Sequence, residues 1–410
     1  MLSKDQAIAY DAIMTWWKQC QEGNGKPYFR LSGFAGCGKS YLTSYIMNNI
    51  DALSIAVVTF TWKAALVLQE KGIFQAGSIH GTFYRLIDEH HYEDTKNKNK
   101  IKHHLGFDLK PKSEVNYDLI IVDEASMVPE DMRNDMLSFG IPILFVGDAG
   151  QLPPVSSSKD ASKKQFMDNA EAQLTQIHRQ ALDSPIIRLS MEIRNGKYIP
   201  YGKFGDGVII CKQRDISDNL LLKTDQVICA KNDTRRSLNR RIRKAKGYDP
   251  EMGPYPNERL IVIQNDHELG LFNGMMLSTT TNPLNDSHNE FRLEDSRHNF
   301  IHYKKDSNFE GERNVIHRNK FYFDGHTNFE ELQQYQTELE RTKERFKIIK
   351  REKLIQADFG YAVTCHKFQG SQAPKVVACF EFMKGMTTED VIKWKYTAIT
   401  RAEKKLIFSQ

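Results

Sequence analysis

The stretch Gly33-Phe34-Ala35-Gly36-Cys37-Gly38-Lys39-Ser40 constrains the fold of this chain more than any other. It carries the complete GxxxxGK[ST] spacing and follows the strand-like Tyr28-Phe29-Arg30-Leu31. Glycines at these positions let the backbone curl until successive N–H groups point inward, and the N-terminus of the following helix adds favourable partial charge for an anion. In such a loop Lys39 reaches the β- and γ-phosphates of a nucleoside triphosphate, and the Ser40 hydroxyl ligates Mg²⁺. A glycine-rich turn before a helix is the plainer explanation. It leaves unexplained why lysine and serine stand where phosphates and metal need them. The expected nucleotide contacts are Gly33, Ala35, Gly36, Cys37, Gly38, Lys39, Ser40 and Tyr41.

At 410 residues the chain exceeds what one hydrophobic core fills, which argues for two main domains with insertions. The 57 Lys and Arg against 52 Asp and Glu leave a net charge of only +5, too mild to mark a nucleic-acid binder. Local clusters must carry that argument. The six cysteines contain no CxxC pair, so neither a zinc site nor a disulfide framework is suggested, and a reducing cytoplasm is the expected compartment. No apolar run reaches the roughly 18 residues that span a bilayer. Met1 to Cys20 mixes polar and apolar residues in a way unlike a signal peptide.

Ser3-Lys4-Asp5-Gln6 opens a helix with Ile8, Ala12, Ile13 and Trp16 at helical spacing. Gln6 has two readings of equal weight: the third residue of a capping box with Ser3, or a glutamine that hydrogen-bonds the adenine edge and selects ATP. After the loop, a helix is expected over Tyr41 to Asn49 and a buried parallel strand over Ser54 to Phe60. The strand ends in Thr61-Trp62-Lys63-Ala64-Ala65, at the sheet edge where open α/β folds bind ligands. Lys63 reads as readily as a solvated helix residue. Further on, Gly77 to Thr82 brings His80, an imidazole that alone is more often structural than functional.

Leu119-Ile120-Ile121-Val122-Asp123-Glu124 is the second strong signal, an apolar strand ending in two carboxylates. Asp123 can hold Mg²⁺ through water while Glu124 positions and deprotonates the attacking water. A helix-capping pair is the alternative. Another buried strand, Ile143 to Val146, leads into Gly147-Asp148-Ala149-Gly150-Gln151-Leu152-Pro153-Pro154-Val155. There Gln151 can sense the γ-phosphate, and the prolines fix the loop.

Between these signals, residues 90 to 112 alternate lysines at 96, 98, 100 and 102, followed by Gly106-Phe107 and Lys110-Pro111-Lys112. This is either an extended ribbon with one positive face or a solvated, partly disordered loop. The second half reads as another α/β portion, with strands at Gly207 to Cys211 and Gln226 to Ala230. A basic helix over Thr234 to Lys246 sets Arg236, Arg240 and Arg243 on one face, ordinarily a solvated face. Strands follow at Leu260 to Gln264 and Met275 to Thr279, then a polar β-like stretch over 281–326 and a helix from Asn328 to about Lys350. Tyr361 to Ser371 packs hydroxyl, imidazole, ammonium and glycine into one turn. A strand over Lys375 to Phe380, a helix closing at Tyr396 to Ala402 and a last strand over Lys404 to Phe408 complete the chain.

Taken in order, these pieces resemble the superfamily 1 DNA helicases of the RecD-like and Dda-like branch, over most of the chain. Gln6 resembles the adenine-selecting glutamine, Gly33 to Ser40 the Walker A loop, Thr61 to Ala65 motif Ia, and Ser78 to His80 motif Ib. Asp123-Glu124 is similar to motif II, Gly147 to Val155 to motif III, and Arg179 to the arginine of motif IV. Tyr361 to Ser371 resembles motif V, and Tyr396 to Ala402, with Arg401, motif VI. Phe60 stands where the family usually has proline, and Ser78 replaces a common threonine.

The resemblance implies an α/β fold of two RecA-like motor domains. The first, 1–178, carries a pin-like β-hairpin insertion at 84–112, with Phe107 as its apolar tip. The second, 179–275 plus 357–410, carries an SH3-like β insertion with helical extension at 276–356. It implies ATP and Mg²⁺ as cofactors, with Lys39, Glu124, Gln151, Arg179 and Arg401 catalytic and Ser40 and Asp123 on the metal. It further implies single-stranded DNA and single-strand/duplex junctions as partners, contacted by Thr61, Lys63, His80, Phe107, Thr364, His366 and Lys367. No membrane is implied. A monomer travelling 5′ to 3′ is expected, with a single-strand-binding, replication or recombination protein as candidate partner. Two other classes stay open: a phosphate-loop switch protein, and a nucleic-acid translocase or remodeller that moves without separating strands, or a motor on RNA rather than DNA.

Overall fold

The computed structural model describes residues 2–86, 107–154, 166–177, 182–250, 255, 257–263, 271, 273–279, 290–295, 300–304, 315–316, 321–323 and 355–410. Arg179, most of the expected hairpin and the expected helix from Asn328 to Lys350 lie outside them. The chain divides into two compact units, Met1–Arg188 and Leu189–Gln410.

The first unit begins with α1 (Lys4–Gln21), which buries Gln6, Ala9, Ile13, Trp16 and Trp17, one stripe at helical spacing. Its strands are β1 (Tyr28–Gly33), β2 (Ile55–Thr59), β3 (Gly77–Ser78), β6 (Leu119–Asp123), β7 (Ile143–Gly147) and β8 (Ala172–Leu174). They form one sheet in the order β3-β2-β6-β7-β1-β8, every pair parallel. Helices on both faces explain why the strands read as continuous apolar runs. Leu119 and Ile121 point to a core shared with α1, α2 (Lys39–Asn49) and α3 (Trp62–Glu70). Ile120 and Val122 point the other way, toward α4 (Ile79–Phe83) and α5 (Glu130–Leu137). Each such fully buried side chain contributes about 1.5–3 kcal/mol.

Between α4 and β6, β4 (Tyr84–Leu86) pairs antiparallel with β5 (Phe107–Leu109), with Leu86 opposite Phe107. This register corrects one expectation. Phe107 sits in the stem of the excursion, paired to the incoming strand, and not at an apolar tip.

The second unit contains α6 (Pro185–Arg194) in part, then β9 (Gly202–Lys203), β10 (Val208–Cys211), α7 (Asp218–Leu222), β11 (Gln226–Cys229) and α8 (Asn232–Ala245). Further along the chain come β18 (Ile355–Phe359), β19 (Ala362–Thr364), β20 (Ala373–Cys379), α9 (Thr388–Ile399) and β21 (Ala402–Ser409). Its main sheet runs β19-β11-β20-β21-β10-β9, parallel except for the short edge strand β9. A second sheet gathers β12 (Arg259–Val262), β13 (Met276–Thr279), β14 (Glu290–Asp295), β15 (Phe300–Lys304), β16 (Val315–Ile316) and β17 (Phe321–Phe323) around β18, in the order β16-β15-β14-β13-β12-β18-β17. Among the described residues this order leaves β16 and β17 as its two ends.

Helix α8 is the joint between the two sheets. Leu238 and Ile242 share one core with Val227, Cys229 and Val377 of the parallel sheet and with Leu260, Val262 and Phe359 of the other. The expectation of a solvated arginine face is corrected in part: Arg240 is exposed and Arg236 half-buried, but Arg243 is not solvated. Arg243 is fully buried, with Nε at 2.9 Å from Glu258 Oε1 and its guanidinium 3.8 Å over the Phe359 ring, and Arg235 is buried against Asp358. Both acidic partners lie outside the helix, Glu258 15 residues and Asp358 123 residues from their arginines, so a helix-local reading leaves these charges to solvent. Asn239 finishes the joint: its amide donates to Phe359 O at 2.8 Å and accepts from Ala362 N at 2.8 Å.

Candidate nucleotide and nucleic-acid sites

The phosphate loop leaves the carboxyl end of β1 at Gly33 and enters α2 at Lys39. Gly36 and Gly38 adopt φ of 81° and 78°, the left-handed region that side chains disfavour. The Lys39 ammonium donates to Gly33 O at 2.6 Å and Phe34 O at 3.2 Å, folding back over its own loop. Burial opposes that charge, but the carboxylates, Asp148 first and then Glu124 and Asp123, outweigh it and hold the Lys39 pKa above its ordinary value. It stays cationic. Burial pushes the Cys37 thiol up, so the thiol stays neutral.

Gln6 performs the local task and a longer-range one together. The capping box forms, with Ser3 N donating to Gln6 Oε1 at 2.9 Å. The amide Nε2 donates in turn to Cys37 O at 3.4 Å and Gly38 O at 3.2 Å, and the residue is completely buried. Of the other loop residues, Ala35 and Ser40 are half-buried, while Tyr41, one place into the helix, is exposed.

The carboxylates arrive on β6, beside β7 and in register with β2, where Thr59 pairs with Asp123. Asp123 ends the strand, and Glu124 turns the chain with φ 52° and ψ 39°. A non-glycine residue held in that region stores on the order of 1–3 kcal/mol of strain, which the surrounding packing must impose. Glu124 Oε2 and Gln151 Oε1 are buried with no hydrogen-bond partner among the described residues. Orphaned acceptors of this kind are costly unless a ligand completes them. Burial first, and the neighbouring Glu124 second, push the Asp123 carboxyl up to about 6. Asp148 closes the loop after β7, accepting from Gly150 N at 2.9 Å.

This donor set fits Mg²⁺. Every group is a hard oxygen, and Mg²⁺ is normally held by one or two carboxylates plus substrate phosphates rather than by a protein-only cage. Among the described residues no three His, Cys, Asp or Glu form such a cage.

The residues expected to meet nucleic acid divide between the units. In the first, Thr61 caps α3, its Oγ1 accepting from Ala64 N at 3.2 Å, and Lys63 follows on the first turn, half-buried. Ser78 caps α4 by accepting from Gly81 N at 3.1 Å, a task serine and threonine share, which accounts for the serine. The His80 ring packs at a tilt against Phe107, centroids 4.9 Å apart, and against Tyr84 at 5.3 Å. In the second unit, Thr364 ends β19, and His366 and Lys367 occupy the 3₁₀ turn after it. Burial lowers the His366 pKa. Arg401 is buried, donating from Nε to Thr397 O at 3.0 Å and from Nη1 to Ser371 O at 3.3 Å.

Comparison with known proteins agrees with these motifs. Residues 1–204 match the family described as an AAA domain, and residues 359–409 the UvrD-like helicase C-terminal domain. The ATP-dependent RecD2 DNA helicase of Deinococcus radiodurans is 30% identical over 210 residues, 49% of this chain. The chain spans about a quarter of that relative's length, 25%. The structure of two coordinating Pif1 helicases at forked double-stranded DNA superimposes with a TM-score of 0.56 at 16% identity, covering 100% of this chain and 92% of that one. Together these matches support a likeness to the RecD/Pif1-like superfamily 1 helicases. A further member of that fold, the Bacteroides Pif1 helicase in complex with ADP-AlF3 and single-stranded DNA, superimposes at 0.52 with 16% identity, covering 96% of this chain and 91% of that one. At such identities the structural likeness is one of fold.

Two contributors to this RecD/Pif1-like site were not assigned from sequence. Asp148 supplies the largest electrostatic support to Lys39, and its signal was the G-D-x-x-Q spacing at a strand end. Asp5 accepts from Thr175 N at 3.0 Å and Gln176 N at 2.8 Å, tying the first turn of α1 to the segment after β8. Nothing local in the sequence signals that contact.

Proposed function

We propose that this chain is an ATP-driven DNA helicase that moves along single-stranded DNA from 5′ to 3′ and separates duplex ahead of it. The observation that carries the proposal is the convergence of Lys39, Asp123, Glu124 and Gln151 at adjacent strand ends, with buried acceptors there left unpaired among the described residues. The RecD2 relative and the Pif1 folds support the nucleic-acid half of the reading.

In this mechanism Lys39 gives up its two loop carbonyls to neutralise the β- and γ-phosphates, while the loop N–H groups hold them. Glu124, fixed by its strained backbone, orients the attacking water and takes its proton. Gln151 senses the γ-phosphate and Tyr41 contacts the nucleotide, while Gln6 acts on the nucleotide through the loop that its buried amide braces. Ser40 and Asp123 would hold Mg²⁺, which supplies charge neutralisation of the phosphates. Arg401 and Arg179 add positive charge in the transition state. Thr61, Lys63, His80, Thr364, His366 and Lys367 grip the DNA backbone. The 84–112 excursion acts as the strand-separating pin, and the sheet built around β13–β17 is the SH3-like insertion.

The test is strand displacement on duplexes carrying either a 5′ or a 3′ single-stranded tail, in DNA and in RNA, with hydrolysis followed in parallel. ATP-dependent displacement confined to 5′-tailed DNA is expected. Hydrolysis stimulated by single strands without displacement of any substrate would make the chain a translocase, and no stimulation at all would remove nucleic acid from the reading.

A further inference from the structure

Three neighbouring strands of the second unit end side by side. Cys229 of β11 pairs with Thr364 of β19, and Ile228 pairs with Ala378 of β20, so the carboxyl ends of β19, β11 and β20 lie at one level. With strands about 4.8 Å apart, the three exits span roughly 10 Å, the reach of one or two nucleotides. The first exit delivers His366 and Lys367. The second delivers Lys231, which is exposed, and the third delivers Phe382.

Phe382 is 63% exposed, yet its loop is tied down on every side. Two residues before it, the Phe380 ring packs edge-to-face on Trp394 at 5.4 Å. Immediately before it, Glu381 accepts hydrogen bonds from Lys231 N at 3.4 Å and from Thr234 Oγ1, which fastens the loop to the first turn of α8. After it, Met386 N donates to Met383 O at 3.1 Å. A single exposed apolar side chain on a surface is ordinary. A phenylalanine held outward by fixed neighbours, with Lys231 at the next strand exit and Lys367 at the one beyond it, has the composition of a single-strand platform, in which cations take the backbone and an aromatic face takes a base.

We propose that Phe382 stacks on a base of the bound single strand, with Lys231 on the adjoining phosphate. This rests on the reading of the chain as a single-stranded-DNA motor and adds to it a base-contacting residue outside the helicase motifs.

The experiment measures binding of the full chain to oligothymidylate and to an abasic oligonucleotide of the same length, for the parental protein, Phe382→Ala and Phe382→Tyr. Phe382→Ala is expected to weaken oligothymidylate binding at least about fivefold, the low end for loss of one base stack. The abasic strand should bind the variant as it binds the parent, and Phe382→Tyr, which keeps the ring, should restore the difference. Unchanged oligothymidylate binding by Phe382→Ala overturns the proposal while leaving the motor reading intact. Equal losses on both strands overturn it as well, since the residue would then act on the backbone or on the fold. If the parental chain binds neither strand, the motor reading fails and the proposal with it. Thermal unfolding of each variant at the parental midpoint verifies that the exposed ring carries no folding role.

Discussion

The side-chain amide of Gln6 donates to the carbonyl oxygen of Gly38 at 3.2 Å, joining the first turn of α1 to the last residue of the phosphate loop before its helix. A second bond to Cys37 O makes Gln6 a brace for the loop. Gln6→Ala is therefore expected to lower stability by about 1 kcal/mol, the usual worth of a helix N-terminal cap. It should also raise the KM for ATP more than it lowers kcat. Gln6→Glu should be worse than alanine in both respects, because a carboxylate would face two carbonyl oxygens. Chemical denaturation and steady-state hydrolysis check both outcomes, and a glutamate variant with parental KM would remove the brace.

Lys39→Ala and Glu124→Gln should each reduce hydrolysis by more than roughly a hundredfold, for different reasons. The first removes the charge that meets the phosphates, so nucleotide binding falls too. The second removes the base and leaves binding in place. Fluorescent-nucleotide titration beside phosphate-release kinetics separates the two, and near-parental turnover by Glu124→Gln would reassign the base.

The stem register reshapes the test of the excursion between α4 and β6. Because Phe107, Asp108 and Leu109 pair with Leu86, Arg85 and Tyr84, a deletion that removes them also unfastens His80. Replacing residues 91–106 with a short Gly-Ser linker keeps the stem. That variant should retain hydrolysis stimulated by single-stranded DNA and lose unwinding of a 5′-tailed duplex. Unwinding at the parental rate would move strand separation to another element.

The buried pair Arg243 and Glu258 should behave as a fixed joint. Removing one partner leaves an uncompensated charge in the core, so Arg243→Met is expected to cost about 3–5 kcal/mol. Glu258 also accepts from Tyr255 N at 2.9 Å, so Glu258→Gln should be the milder of the two. Arg243→Met combined with Glu258→Leu should recover much of the loss, as apolar replacement of a buried ion pair commonly does. Urea unfolding of the three variants measures it.

His366 gives stability a pH dependence of known sign. Its folded pKa is lowered by burial, so the unfolded chain takes up the proton first as pH falls below about 6.5. Stability contributed by the neutral imidazole is present above that pH and declines until the folded group also protonates. His366→Gln should flatten this acid limb in thermal unfolding between pH 7.5 and pH 5, and an unchanged limb would assign it to other groups.

The sequence alone determined the elements whose signal is local. The phosphate loop, the strand ending in Asp123-Glu124 and the Gly147–Gln151 turn were legible because phosphate and metal chemistry demands particular residues at fixed spacing, and parallel strands buried on both faces read as apolar runs. The capping box at Ser3 and Gln6 was legible for the same reason, since all its atoms lie within one turn. Tertiary structure decided the matters that depend on residues far apart. The left-handed turn at Glu124, and the burial of its oxygen with no partner among the described residues, exist only once β6 is packed between β2 and β7. Phe107 became a stem residue because β5 chose its register against β4, a choice made by pairing and by the His80 ring. Arg243 became a core residue because Glu258, just before β12, and Phe359, at the end of β18, meet at it from about a hundred residues apart. A charge on a helix reads as solvated until its partner is known, and helical periodicity carries no information about a carboxylate on another strand.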